Sequence, residues 1–279
     1  MTNKKNITPP QEEIAAILQH IHTVADSAAK VTVPAFRSGI RADNKGPNPA
    51  LSAHPASNSA FDPVTAADRE AEEAMRAVIS RLWPAHTITG EEFGATEGAS
   101  PWGWCLDPID GTRAFISGLP SWGTLIAVTY MGAPVIGVID QPFLGERYIG
   151  TPTISTLNGQ PIRTSGITRL ADATLTSTDP FLFSKSEQPH FNALRDACKL
   201  TRYGLDCYGY AVLASGHMDI AAESGLKPFD LMALLPVITG AGGVVTNWSG
   251  EPAHTSKGDI VAAATPALHQ AALSVLSGA

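Results

Sequence analysis

From Gln11 to Arg37 the apolar residues Ile14, Ile17, Leu18, Ile21, Val24, Ala25 and Ala28 return at helical spacing, which predicts a long amphipathic helix with that stripe turned to the core. Residues 38–62 break the pattern. Gly, Pro, Asn, Ser and Ala dominate there, and so long a connection inside a compact domain predicts a flexible flap. Thr65, with Asp68 three residues on, resembles a capping box and opens a helix bearing Ala71, Met75, Val78, Ile79 and Leu82, stopped by Pro84. Between Ile88 and Thr129 the apolar runs shorten, and Trp104-Cys105-Leu106 and Thr124–Thr129 read as strands. Only Met131-Gly132-Ala133 separates Thr124–Tyr130 from Pro134–Asp140, which predicts an antiparallel hairpin that Arg147–Gly150 extends.

The second half opens on a polar, Thr-rich stretch over 151–180, followed by helices near Gln188–Cys198 and Tyr208–Ser215 and a strand at Asp219–Ala222. Leu231, Leu234, Leu235 and Ile238 predict a helix that bends at Pro236, Val244–Trp248 a strand, and Thr265-Pro266 the start of a final helix. No internal repeat or low-complexity tract interrupts the series. An α/β or α+β protein is expected, with an N-terminal lobe over 1–150 and a C-terminal lobe over 151–279 in close contact.

Composition narrows the function classes. With 44% hydrophobic and 16% charged residues in 279, the chain has a large core to bury and is not a disordered one. The net charge of −7, with Lys and Arg never clustered beyond pairs such as Lys4-Lys5, offers no face for a nucleic-acid backbone. Cys105, Cys198 and Cys207 form neither a disulfide framework nor a metal-ligand spacing and read as buried small residues in a reducing compartment. No apolar run reaches membrane-spanning length and the basic start leads into Glu12 and Glu13 rather than a secretory segment, so a cytoplasmic protein is expected. Among the eight histidines no HxxxH spacing suggests zinc.

Chemistry concentrates in Leu106-Asp107-Pro108-Ile109-Asp110-Gly111-Thr112, where a strand gives way to a new segment. Two carboxylates flank a proline, and a glycine and a hydroxyl follow. Hard divalent cations take oxygen ligands, so Asp107, Asp110 and the Ile109 carbonyl suit one or two such ions. A helix starting at this point would aim the Gly111 and Thr112 amides at a phosphate oxygen. The same dipeptides, Asp-Pro and Asp-Gly, are also common turn formers. More acids join the pattern: Glu91 and Glu92 after Thr87-Ile88-Thr89, Asp230 ahead of the apolar Leu231–Thr239, and Asp68 at its helix start. Taken singly, Glu92 reads as solvated and Asp68 and Asp230 as caps.

The segments Asp62-Pro-Val-Thr-Ala-Ala-Asp68, Gly90-Glu-Glu92, Asp107-Pro-Ile-Asp-Gly-Thr112 and Phe229-Asp230 with Ala241-Gly-Gly243 together resemble the ordered motifs of the inositol monophosphatase family. The longer context from Asp107 to Thr124, with Asp140–Tyr148, Arg202–Tyr208 and Gly225–Asp230, is most similar to the bacterial histidinol-phosphate phosphatases of that family. The resemblance implies a layered αβαβα sandwich, shared with fructose-1,6-bisphosphatase, a Mg²⁺-dependent phosphatase activity and a homodimer. It implies that Glu91, Asp107 and the Ile109 carbonyl hold a first ion, that Asp107, Asp110 and Asp230 hold a second, and that a third sits against Glu91. It also implies that Asp68 and Thr112 orient the attacking water.

Five carboxylates in an anionic protein repel a phosphate ester unless cations intervene: two unit charges about 4 Å apart cost roughly 4 kcal/mol at an effective dielectric near 20. For the alcohol, Asp206 and Glu223 are the candidates, since acids suit the ammonium and imidazole of histidinol whereas inositol needs only neutral hydroxyl partners. Glu223 matches a substrate-contacting acid of the family. Arg202 stands either as a phosphate or Asp206 partner or as half of a local ion pair with Asp206. Lys45 is the candidate for the family's flap lysine. The expected activity is hydrolysis of histidinol phosphate in histidine biosynthesis. Alternatives are an inositol 1-phosphate or 3′-phosphoadenosine 5′-phosphate phosphatase, and, outside catalysis, an inactive phosphate-ligand sensor.

Overall fold

The computed structural model describes residues 8–46 and 63–278. Most of the expected flap, together with Asp62 and Lys4-Lys5, lies outside the described residues. In chain order the first half holds α1 (Gln11–Ala35), β1 (Asp43–Asn44), β2 (Pro63–Val64), α2 (Ala66–Leu82), β3 (Thr87–Gly90), β4 (Gly94–Thr96), β5 (Trp102–Asp110), α3 (Thr112–Ile116), β6 (Gly123–Tyr130), β7 (Ala133–Gln141), β8 (Glu146–Thr151), β9 (Ile154–Leu157) and β10 (Gln160–Pro161). The second half holds β11 (Thr174–Ser177), α4 (Gln188–Ala197), β12 (Leu200–Tyr203), α5 (Cys207–Ala214), β13 (Ile220–Glu223), α6 (Pro228–Leu231), α7 (Leu234–Gly240), β14 (Val244–Thr246), β15 (Ile260–Ala263) and α8 (Pro266–Leu276).

Two sheets dominate. The larger has the order β10-β9-β8-β7-β6-β5-β3-β4 and is antiparallel except where β3 runs parallel to β5. The smaller has the order β12-β11-β13-β15-β14. Strand alternation sorts their side chains into layers. Trp104, Leu106, Ile126, Val128, Ile136 and Val138 face α1 and α2, meeting Ile17, Ile21, Met75 and Ile79. Their strand neighbours Cys105, Leu125, Ala127 and Ile139 point the other way, onto α5 and α7, whose Leu213, Val237 and Ile238 also meet Ala221 and Ala262 of the smaller sheet. Leu175, Ile220, Val261 and Ala263 then pack against Leu194 of α4 and Leu268 of α8. Helix, sheet, helix, sheet, helix is therefore the layer order, as expected. Met75 and Ile79 are fully buried, and truncating either to Ala is expected to cost about 2–5 kcal/mol.

Local signals place the elements closely. Thr65 caps α2, accepting from the Ala67 N–H at 3.2 Å while Asp68 reaches back to the Thr65 N–H at 2.8 Å. The β6–β7 hairpin and the start of α8, where Thr65's counterpart Thr265 accepts from the Leu268 N–H, follow expectation. Three details differ. The helix expected to bend at Pro236 is two helices, α6 and α7, parted at Met232-Ala233; Pro236 lies in the first turn of α7, where no intrahelical acceptor for its missing N–H exists. The final strand of the small sheet stops at Thr246 rather than Trp248, whose indole donates to the Ile260 carbonyl at 3.0 Å. Finally, β9 and β10 stay in the larger sheet, which therefore runs past the expected 150/151 lobe boundary. Cys105 and Cys207 are buried, Cys198 only partly, and all three are free thiols.

Candidate active site

Parallel pairing of β3 with β5 sets Gly90 opposite Leu106, and the Glu91 N–H donates to the Leu106 carbonyl at 3.2 Å, which brings Glu91 to the level of Asp107. β5 does not end at Asp107. It continues to Asp110 through an irregularity against β6 between those two residues. Pro108 has no N–H to give, its carbonyl accepts from Thr124 Oγ1 at 2.8 Å, and Asp107 Oδ1 accepts the Ile109 N–H at 3.1 Å. The turn-forming residues thus make a bulge inside a strand, and a bulge redirects side chains. Asp230 arrives from α6, where Oδ2 accepts the Lys227 N–H at 2.7 Å, so it is a cap as well as a member of the site. Asp107, Asp110 and Asp230 each place a carboxylate oxygen within 4.8 Å of the others'.

Among the described residues no cationic side chain sits between these three. Asp107 is pushed well above the usual carboxylate range by burial and then by the charges of Glu91, Asp110, Asp230 and Asp68. Burial, then Asp206 and Asp230, raises Asp110, although Oδ2 accepts the Cys207 N–H at 2.7 Å. Burial and Glu91 raise Asp230, and a hydrogen bond with Asp107 is among its contacts. Glu91 stands apart from the three-oxygen group: its Oε1 lies 2.9 Å from Lys45 Nζ, which also reaches Glu92 Oε1 at 2.5 Å. Lys45 is therefore beside the acids, and they hold its ammonium protonated against the opposing effect of burial. Hard oxygen donors only, crowded together and mutually repelling, fit a hard divalent cation such as Mg²⁺.

Asp68, fully buried at the start of α2, accepts the Thr65 N–H and the Thr65 hydroxyl (2.6 Å) on Oδ2. Its Oδ1 stays available to the Thr112 hydroxyl, at 3.5 Å, which also lies 3.1 Å from the Ile109 carbonyl. Burial raises Asp68 above its ordinary range, against the hydrogen bonds from Thr65. Gly111, at φ 80°, precedes the single turn of α3, whose first helical bond runs from the Phe115 N–H to the Gly111 carbonyl. The amides ahead of Phe115 have no intrahelical acceptor, as the sequence led us to expect for a phosphate-facing turn.

A cavity of about 400 Å³ opens beyond Asp110, Thr112 and Asp230 toward Asp206, Tyr210 and Glu223. Asp206 has φ 50° and ψ −142°, a conformation costly for any residue but glycine, and packs so closely on Gly111 that a Cβ there would lie 2.9 Å from its Cγ. Burial raises its carboxyl to about 6, against a 3.4 Å contact from the Ser121 hydroxyl and the charge of Arg113. Glu223 accepts the Thr178 N–H and hydroxyl at 3.1 and 2.8 Å, yet burial lifts it to about 8. Arg202 does not join them: it is exposed on the edge strand β12, outside the cavity wall, and makes no ion pair with Asp206. The expected partnership with Asp206 is therefore not present. Arg113, Ser121, Thr178 and Tyr210 were not singled out from sequence. Arg113 directly follows Asp-Gly-Thr, which was a usable signal; the others had none. The Tyr210 hydroxyl is buried with no hydrogen-bond partner among the described residues.

A family model described as the inositol monophosphatase family matches residues 13–278. A chloroplastic bifunctional phosphatase of Arabidopsis thaliana is 47% identical over 227 residues, which cover 77% of this chain and 66% of that protein. A histidinol-phosphatase of Chlorobaculum parvum is 37% identical over 190 residues, 67% of this chain and 73% of that one. Among solved structures, an inositol monophosphatase from Zymomonas mobilis superposes with a TM-score of 0.79 at 39% identity, covering 92% of this chain and 95% of that chain.

Proposed function

Because the chain belongs to the inositol monophosphatase family of metal-dependent phosphatases, we propose that it hydrolyses a small phosphate monoester with Mg²⁺, histidinol phosphate being the ester. The observation that carries this reading is the meeting of Asp107, Asp110 and Asp230 from distant stretches of chain with no cationic side chain of the described residues between them. Asp107, Asp110, Asp230, Glu91 and the Ile109 carbonyl would hold the ions, which when bound offset the phosphate charge and lower the pKa of a coordinated water.

The protein's own groups supply the rest. The Thr112 hydroxyl takes the proton of the attacking water as it passes its own to Asp68 Oδ1, a carboxylate whose raised affinity for protons suits a base. Thr65 holds that carboxylate in place through two hydrogen bonds to its other oxygen. Gly111 and Thr112 amides receive a phosphate oxygen. Water attacks phosphorus directly, the ester P–O bond breaks, and no side chain becomes phosphorylated.

Asp206 favours histidinol. A side chain held in a strained backbone conformation, largely ionised at neutral pH and facing the cavity, suits an ammonium group of the substrate. An inositol phosphate is the second reading, favoured by Glu223: with a pKa of about 8 it is protonated at neutral pH and pairs with a hydroxyl. Turnover of a phosphate-ester panel at saturating Mg²⁺ separates the readings. Histidinol phosphate is expected to give the highest kcat/KM; faster turnover of inositol 1-phosphate or 3′-phosphoadenosine 5′-phosphate would overturn the substrate, and zero turnover of every ester would favour a sensor.

A further inference from the structure

On α2, Glu72 follows Asp68 by one turn, and the two carboxylates share the helix face turned toward the site; both residues are fully buried. Glu72 does not touch the three-acid group. Its Oε2 accepts the Glu92 N–H at 2.8 Å and its Oε1 the Phe93 N–H at 3.3 Å, the two amides immediately after Glu91. Room for the carboxyl exists because position 90 is glycine: a Cβ there would overlap it. Arg76, one further turn along, pairs with Glu72 Oε1 at 2.7 Å and donates onward to the Gly94 carbonyl and, at 3.1 Å, to Thr96 Oγ1. The turn between β3 and β4 is thus gripped on both sides, by its amides through Glu72 and by its carbonyl through Arg76.

We propose that Glu72, neutralised by Arg76, is a positioning residue that fixes the β3–β4 turn so that the Glu91 carboxylate stands ready for a cation next to Asp107. The inference rests on the reading of Glu91 as a metal ligand. A buried carboxylate is costly unless paired and hydrogen-bonded. Glu72 meets that condition with groups of the very turn that carries Glu91, whereas the apolar stripe of Ala71, Met75 and Ile79 already fastens α2 to the sheet. Helix packing alone therefore leaves a buried charge at 72 without a purpose.

The test is a double-mutant cycle read by calorimetric titration of Mg²⁺ into the metal-stripped full chain, with melting temperature followed in parallel. Glu72→Gln keeps the shape and loses the charge; a roughly tenfold weaker Mg²⁺ affinity is expected, and Glu91→Gln with Glu72→Gln should be no weaker than Glu91→Gln alone. Additive losses, or a lowered melting temperature with unchanged affinity, would overturn the proposal. Ile79→Val, a core change on the same helix, should lower the melting temperature and leave affinity alone. If Glu72→Gln does not fold, Glu72→Asp serves: it retains the charge but withdraws from the turn amides, and the same non-additivity with Glu91→Gln is expected. Should Glu91→Gln by itself leave affinity unchanged, the ligand reading fails and the role of Glu72 falls with it. A loss in Glu91→Gln that Glu72→Gln does not share would overturn the role of Glu72 alone.

Discussion

Asp107 and Asp140 lie on β5 and β7, either side of β6, and each is only 2% exposed, yet their surroundings are opposite. Asp140 is answered by its own chain: Arg147 Nε lies 2.7 Å from Oδ1 and its Nη2 3.2 Å from Oδ2, and the same guanidinium reaches Asp26 at 2.8 Å and His22 at 3.0 Å on α1. That group ties helix to sheet. Asp107 has Glu91, Asp110, Asp230 and Asp68 as its charged neighbours and, among the described residues, no such partner. A buried acid matched by a fixed cation holds structure together; buried acids that repel one another mark a place prepared for a cation from solution.

The contrast predicts different failures. Asp110→Asn removes a charged oxygen and almost no volume, so kcat/KM is expected to fall by at least about a thousandfold, roughly 4 kcal/mol, with circular dichroism unchanged. Retained turnover would remove Asp110 from the site. Arg147→Met does the reverse: it strands Asp140, costing about 3 kcal/mol in urea unfolding, while Mg²⁺ affinity holds. A loss of ion affinity there would erase the distinction between the two acids.

Mg²⁺ at a hundredfold excess over its dissociation constant should stabilise the fold by about 2.7 kcal/mol, read as a rise in melting temperature. Carboxylates of the unfolded chain titrate near 4, whereas Asp107, Asp110 and Asp230 are raised in the metal-free fold, Asp230 to about 7. The native state therefore binds more protons across that window, and the site's contribution to metal-free stability falls as pH rises through it. At one fixed Mg²⁺ concentration the stabilisation should accordingly be larger at pH 8 than at pH 5.5, because the apparent dissociation constant falls as the acids lose their protons; the opposite trend would contradict the crowding of charge. The smallest effect concerns selectivity. Asp206→Asn is expected to lower kcat/KM for histidinol phosphate about tenfold, near 1.4 kcal/mol, and to leave an aryl phosphate unchanged. An equal loss for both esters would deny Asp206 a role in recognising the alcohol.

Sequence carried the local features well, because each had a short-range cause. The stripe of α1, the Thr65 and Thr265 caps and the hairpin around Met131-Gly132 need only neighbours along the chain. The acids were legible through their turn chemistry and through resemblance, and the structure brings Asp107, Asp110 and Asp230 together. What escaped depends on contacts across the chain. Glu72 was not singled out, its partners lying 20 and 21 positions away, and Ser121 meets Asp206 across 85. Arg202 misled for the same reason, since its nearness to Asp206 in sequence says nothing of which way an edge strand turns it. Pro236 signalled a bend, but the break came ahead of it, where a proline fits a first turn.

Calorimetry of Mg²⁺ binding at pH 6.5, in two buffers of different ionisation enthalpy, reads ion uptake and proton release together. Uptake with release of on the order of one proton per protein, shrinking as pH is raised to 8.5, is the expected result, since repelling acids share protons until a cation displaces them. Absence of uptake, or uptake with no proton released at either pH, would contradict the assignment of Asp107, Asp110 and Asp230 as a cation site.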